Sequence, residues 1–176
     1  MFKKLSILAI VMLFFSATAG CMVYHNLNTK QIDTFKEELK AAHIGMKRLD
    51  IKYSVPSLYF DYSFKKANEN EMFDVFYKTK DLILNEDFQE DFFGKFFNNY
   101  FKEYKDSKEK PYPSIFINFD LNNDGKYEYQ FDSMYYKQPY NSNKRNEIDG
   151  YETWSYWDFN SEPKLVPGDY SGTHQR

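Results

Sequence analysis

Asp120, Asn122, Asp124 and Glu128 place four candidate oxygen ligands close together in the run Asp120-Leu-Asn-Asn-Asp-Gly-Lys-Tyr-Glu128. Asp120, Asn122 and Asp124 alternate and are followed by Gly125, which is the pattern of the first half of a calcium loop. Calcium takes six to eight oxygen ligands, and an EF-hand completes the set with a bidentate glutamate at its twelfth position. Here that position is Phe131, Asp132 falls one place late, and the flanks alternate like strands rather than repeating like helices. Two structures satisfy the pattern. One is a non-EF calcium turn with Asp120, Asn122, Asp124 and Glu128 as ligands. The other is a hairpin turn written in Asn, Asp and Gly because those residues tolerate turn geometry.

Other chemistry is thinly supplied. The histidines, His25, His43 and His174, do not pair with a serine in a Gly-x-Ser-x-Gly elbow, and no His-Glu-x-x-His run or phosphate-binding glycine loop occurs. Acids are plentiful, so a carboxylate-based envelope hydrolase stays open; it needs two carboxylates on one face about 5–9.5 Å apart.

The one cysteine, Cys21, follows a leader of distinctive layout. Lys3 and Lys4 come first, then the apolar stretch Leu5 to Phe15, then the small residues from Ser16 to Gly20. Basic end, apolar stretch and small-residue cleavage site make a secretory signal. Ala19-Gly20-Cys21 resembles the lipobox of bacterial lipoproteins, with Thr18 where that family usually has Leu, Val or Ile. The resemblance implies cleavage before Cys21, a diacylglycerol on its sulfur, and a place on the outer surface of a bacterial membrane. Two acyl chains make such anchoring stable where one is marginal. A retained transmembrane anchor fits less well, because a span needs about 20 predominantly apolar residues and the strongly apolar part stops at Phe15. A soluble secreted form would leave a lone thiol in an oxidising compartment.

Residues 1–20 are therefore expected to be a signal peptide, 21–28 a lipidated tether, 29–160 one domain and 161–176 a flexible tail. Loss of residues 1–20 removes two lysines and no acid, taking the formal net charge from −3 to −5. A mildly acidic chain argues against nucleic acid as a partner. The remaining length, about 156 residues, suits one core. With no second cysteine there is no internal disulfide, so packing carries stability, and 16 Tyr and 18 Phe supply it.

Hydrophobic periodicity divides the domain. Asn28 or Thr29 begins a helix to about His43, with Ile32, Phe35, Leu39 and Ala42 on one face. Leu49 to Val55 and Leu58 to Phe64 alternate like half-buried strands. A helix begins near Asn70, and Asn85 breaks it and starts another. In that helix Phe88, Phe92, Phe96, Tyr100 and Tyr104 recur at steps of four beside Phe93, Phe97 and Phe101. The stripe fits a helix laid on a sheet, and less well a groove for lipid or peptide. Ile115 to Phe119 and Tyr127 to Phe131 read as a hairpin about the Asn-Asp-Gly turn, and Tyr151 to Phe159 as a last strand.

The expected fold is α+β: a single antiparallel sheet of about five strands with helices packed on one face. The other face stays wet and carries Tyr59, Asp61, Ser63, Asn118, Glu128, Gln130 and Asp132. In the last strand Trp154 and Tyr156 point one way, Trp157 and Phe159 the other. Trp and Tyr are common interface anchors. The residues expected to meet a partner are Trp154, Tyr156, Trp157, Tyr59, Glu128 and Gln130.

These features together predict a non-enzymatic, membrane-anchored lipoprotein that binds a protein partner. A ligand-binding lipoprotein of an envelope or transport process is the alternative. The leader, the mixed helix and strand pattern, and the Pro113-Ser-Ile-Phe-Ile strand with its Asn/Asp/Gly turn and aromatic return to Phe131 are similar to the TipC-type immunity lipoproteins of Gram-positive bacteria. That resemblance implies an immunity protein or inhibitor against an envelope-acting toxin, and it transfers no functional residue.

Overall fold

Thr29, Asn68 and Asn85 each start a helix by offering a side-chain oxygen to a free backbone N–H three residues on. Ile32 N donates to Thr29 Oγ1 at 3.2 Å, Glu71 N to Asn68 Oδ1 at 3.1 Å and Phe88 N to Asn85 Oδ1 at 3.0 Å. Each cap contributes about 1 kcal/mol. The helices are α1 (Lys30–Ala42), α2 (Glu69–Leu84) and α3 (Glu86–Tyr100). The computed structural model from which they are taken describes residues 24–26, 29–104, 110–137 and 147–160. The leader, Cys21 and the tail from 161 lie outside the described residues.

The strands are β1 (His25–Asn26), β2 (Met46–Ser54), β3 (Ser57–Phe64), β4 (Ser114–Asp120), β5 (Tyr129–Ser133) and β6 (Ser155–Asp158). They form one six-stranded sheet in sequence order. The α+β class stands, but the sheet is mixed: β3 and β4 are parallel, and the other neighbours are antiparallel. Parallel neighbours need a long crossover, and here α2 and α3 provide it. Alternation within a strand reports its faces and says nothing of its direction, so an all-antiparallel sheet was the wrong expectation. The sixth strand is β1, which lies where a free tether was expected; His25 and Asn26 pair with Tyr53 and Lys52.

One row across the sheet shows how the faces divide. Ile51, Phe60, Ile117, Phe131 and Tyr156 are register neighbours, and the first four are buried. This face meets the helices. Phe76 of α2 stacks on Phe131 with ring centroids 3.9 Å apart, and Phe96 of α3 meets Tyr53 edge-on at 6.0 Å. Tyr62 places its hydroxyl 2.6 Å from Thr79 Oγ1 of α2, and burial pushes that phenol far above its ordinary pKa. Phe88, Phe92, Phe93, Phe96 and Phe97 are all buried, so most of the α3 stripe is core rather than groove. Each buried ring contributes about 1.5–3 kcal/mol through removal from water. His43 caps α1 and lies 3.3 Å from Glu71 and 3.2 Å from Asp74 of α2, tying the two helices together.

Candidate functional site

One residue along each strand the side chains turn to the other face, and the chemistry changes. Asp50, Asp61, Asn118, Gln130 and Trp157 are register neighbours there. The adjacent row runs Lys52, Tyr59, Phe116, Asp132 and Ser155. This open face brings together three of the six residues expected to meet a partner: Tyr59, Gln130 and Trp157.

Asp61 is the polar centre and is only 2% exposed. Lys52 Nζ lies 2.6 Å from its Oδ2, and Asn118 Nδ2 donates to its Oδ1 at 2.7 Å. Tyr127 reaches back from the loop after β4 and bonds the same carboxylate; burial first, and then the Asp61 charge, push the Tyr127 hydroxyl up to about 12. A buried carboxylate needs such partners because an unpaired buried charge is costly.

Aromatic rings extend from this centre toward the β1 edge. Tyr24 meets Tyr59 edge-on at 5.6 Å, and Tyr59 stacks on Phe116 at 5.3 Å. Lys52 Nζ sits 4.5 Å from the centre of the Tyr24 ring. Toward the β6 edge, Trp157 Nε1 donates to Asp132 Oδ1, and the Gln130 side chain bonds the same carboxylate. Burial raises the Asp132 carboxyl above the usual carboxylate range, although both hydrogen bonds act the other way. Beside this pair lies an open depression of about 340 Å³ lined by Asp132, Tyr136, Lys137, Asp149, Thr153 and Ser155.

The remaining expected contact residues lie elsewhere. Trp154 is fully buried against Phe76, and its Nε1 donates to Tyr151 O at 2.8 Å, so it is a core residue with no surface to offer. The strand does not begin until Ser155, because Tyr151 takes a left-handed φ of 69° and breaks the ladder. Tyr156 points to the helix side, against Phe73 and Phe131. Glu128 precedes β5 and closes the turn: its Oε2 accepts from Leu121 N at 2.6 Å and its Oε1 from Asn122 Nδ2 at 2.8 Å. Tyr24, Lys52 and Phe116 belong to the open face although they were not expected there. Phe116 shares the parity of Asn118, which places it on that side; Tyr24 and Lys52 need the β1–β2 pairing, which two residues do not announce.

The turn between β4 and β5 is longer than a tight hairpin. Asn123 and Gly125 take left-handed φ angles of 61° and 86°, a conformation that Gly and Asn tolerate best. Asp120 Oδ1 accepts from Asn123 N at 2.6 Å, and its Oδ2 from Gly125 N at 3.0 Å. Asp124 Oδ1 accepts from Lys126 N at 2.8 Å, and Asn122 Oδ1 from Asp124 N at 2.8 Å. Asp120, Asp124 and Glu128 bring carboxylate oxygens within 4.8 Å of one another. Asn122, the fourth expected calcium ligand, turns its amide nitrogen to Glu128 and its oxygen to the backbone.

Comparison of the chain with protein-family models, with curated proteins and with solved structures gives no match.

Proposed function

We propose that this chain is a non-enzymatic lipoprotein, held on the outer surface of a bacterial membrane through lipid on Cys21, that binds a protein partner on its open sheet face. The observation that carries the reading is Trp157. Its ring is half-buried, its indole N–H is held by Asp132, and it stands beside Gln130 with Phe116 and Tyr59 further across the face. A large ring already fixed in place loses little freedom on binding, which is how aromatic anchors work at interfaces. The polar groups around it supply orientation rather than reaction chemistry: Asp61 is buried and paired with Lys52, and the β4–β5 turn enters the reading as structure rather than as a calcium site, because its oxygens serve its own backbone.

Protection against an envelope-acting toxin is the form of binding that the sequence resemblance favours. Intact-mass measurement of the native product tests the anchor: diacylglycerol on a chain beginning at Cys21 is expected, and a free sulfhydryl contradicts it. Capture from envelope extracts tests the face. A partner retained by the native chain and by the helix-side variant Lys40→Ala, but lost by Trp157→Ala, is expected. A partner held equally by all three would place the contact elsewhere.

A further inference from the structure

Of the eight exposed large hydrophobic side chains among the described residues, four stand together at one end of the domain, while Ile44, Tyr127 and Phe159 stand toward the other. Tyr24 is 46% exposed, Val55 46%, Tyr100 37% and Tyr104 42%. Tyr24 adjoins His25, which pairs with Tyr53 near the end of β2. Val55 lies in the turn between β2 and β3. Tyr100 packs on Tyr53 at 5.0 Å and on His25 at 6.0 Å, and Tyr104 meets Phe101 at 6.2 Å. This end is where the α3 aromatic stripe leaves the core. The other end of the sheet, beyond β3 and β4, holds the turn with Asp120, Asp124 and Glu128. The eight residues of β3 separate the two ends by about 26 Å at the usual rise per residue.

Chain length settles what can reach the tyrosine end. Three residue steps separate Cys21 from Tyr24, and a fully extended chain covers at most about 11 Å in that distance. If the Cys21 sulfur carries lipid in the bilayer, Tyr24 cannot leave the headgroup region. The residue types suit that place, since tyrosine joins an apolar ring to a polar tip and is enriched at membrane–water interfaces. The acidic turn suits the opposite place, because anionic lipid headgroups repel carboxylates.

We propose that the end bearing Tyr24, Val55, Tyr100 and Tyr104 rests on the phospholipid headgroups, with the β4–β5 turn pointing outward. This rests on the lipidated Cys21 of the preceding subsection and adds an orientation to it. The strands then lead away from the membrane, and the open face is presented sideways to other envelope proteins rather than down onto lipid.

The test uses the full chain, processed and lipidated, in vesicles of phosphatidylglycerol and phosphatidylethanolamine. With the Cys21 sulfur in a thioether, single cysteines introduced as Val55→Cys, Tyr104→Cys or Lys126→Cys take a fluorescent label alone. Quenching by a headgroup-attached nitroxide is expected to be several-fold stronger at positions 55 and 104 than at position 126. Adding Tyr24→Ser and Tyr100→Ser to the Val55→Cys chain is expected to weaken quenching at position 55 without abolishing it, because the short tether from Cys21 remains, while circular dichroism stays native. Equal quenching at all three positions, or stronger quenching at 126, overturns the orientation and leaves the anchor standing. A chain that does not float with the vesicles and keeps a free thiol at position 21 overturns both.

Discussion

Trp157 donates its indole N–H to Asp132 across the β5–β6 ladder, and the two residues sit on the sheet face that the helices leave open. The bond couples an aromatic ring to a carboxyl whose proton affinity burial has raised.

That coupling has a pH signature. A carboxyl with a raised folded-state pKa binds more protons folded than unfolded, so its contribution is most favourable below the ordinary aspartate range and is lost as pH rises through the folded value. The Asp132→Asn chain is therefore expected to gain thermal stability relative to the native chain as pH rises from about 3.5 to 7, because ordinary aspartates ionise near 3.9. Melting curves at matched pH check this; a variant-minus-native difference in melting temperature that stays constant or falls over that range contradicts the raised value.

Asp61 makes a different prediction. Replacing it with alanine strands Asn118 Nδ2, the Tyr127 hydroxyl and Lys52 Nζ together. Lys52 is partly exposed and can turn to water, so the cost is set mainly by the buried amide. A loss of about 1–3 kcal/mol is expected for leaving such a group unpaired, read by urea unfolding of Asp61→Ala. A loss of under about 0.5 kcal/mol, the range of ordinary surface changes, would mean that the cluster does not hold the sheet together.

Some of this arrangement is legible in the chain and some is not, for physical reasons. Asn85 announces a helix start because its side chain bonds the backbone a few residues away, and local bonds leave local signatures. The helix expected from near Asn70 begins at Glu69, with Asn68 as its cap. The parity that puts Ile117 on the helix side of the sheet and Asn118 on the other side is likewise written in alternation. The parallel pairing of β3 with β4 depends on a crossover of nearly fifty residues, and no short pattern encodes it. Alternation separates Trp154 from Trp157, but it does not tell which of the two is core: Trp154 lies before β6 and is fully buried, and Trp157 is the half-buried ring on the open face. The Asp132–Trp157 bond follows only once the β5–β6 register is known.

The β4–β5 turn divides two chemistries with one titration. Asp120 accepts from the backbone of Asn123 and Gly125, so Asp120→Ala is expected to cost about 1–2 kcal/mol, as loss of a capping oxygen does, with or without calcium. If the oxygens are spent on the turn itself, millimolar calcium leaves the melting temperature of the native chain unchanged. A saturable rise that EDTA reverses and Asp124→Asn abolishes would make the turn a calcium site.

The most direct measurement is photocrosslinking in living cells, with a photoreactive residue placed at Gln130 on the open face or at Lys40 on the exposed side of α1. If the open face is the binding surface, position 130 yields one dominant adduct with an envelope protein, position 40 does not, and Trp157→Ala removes the adduct. The same adduct from position 40, or one from position 130 that survives Trp157→Ala, would contradict binding through this face.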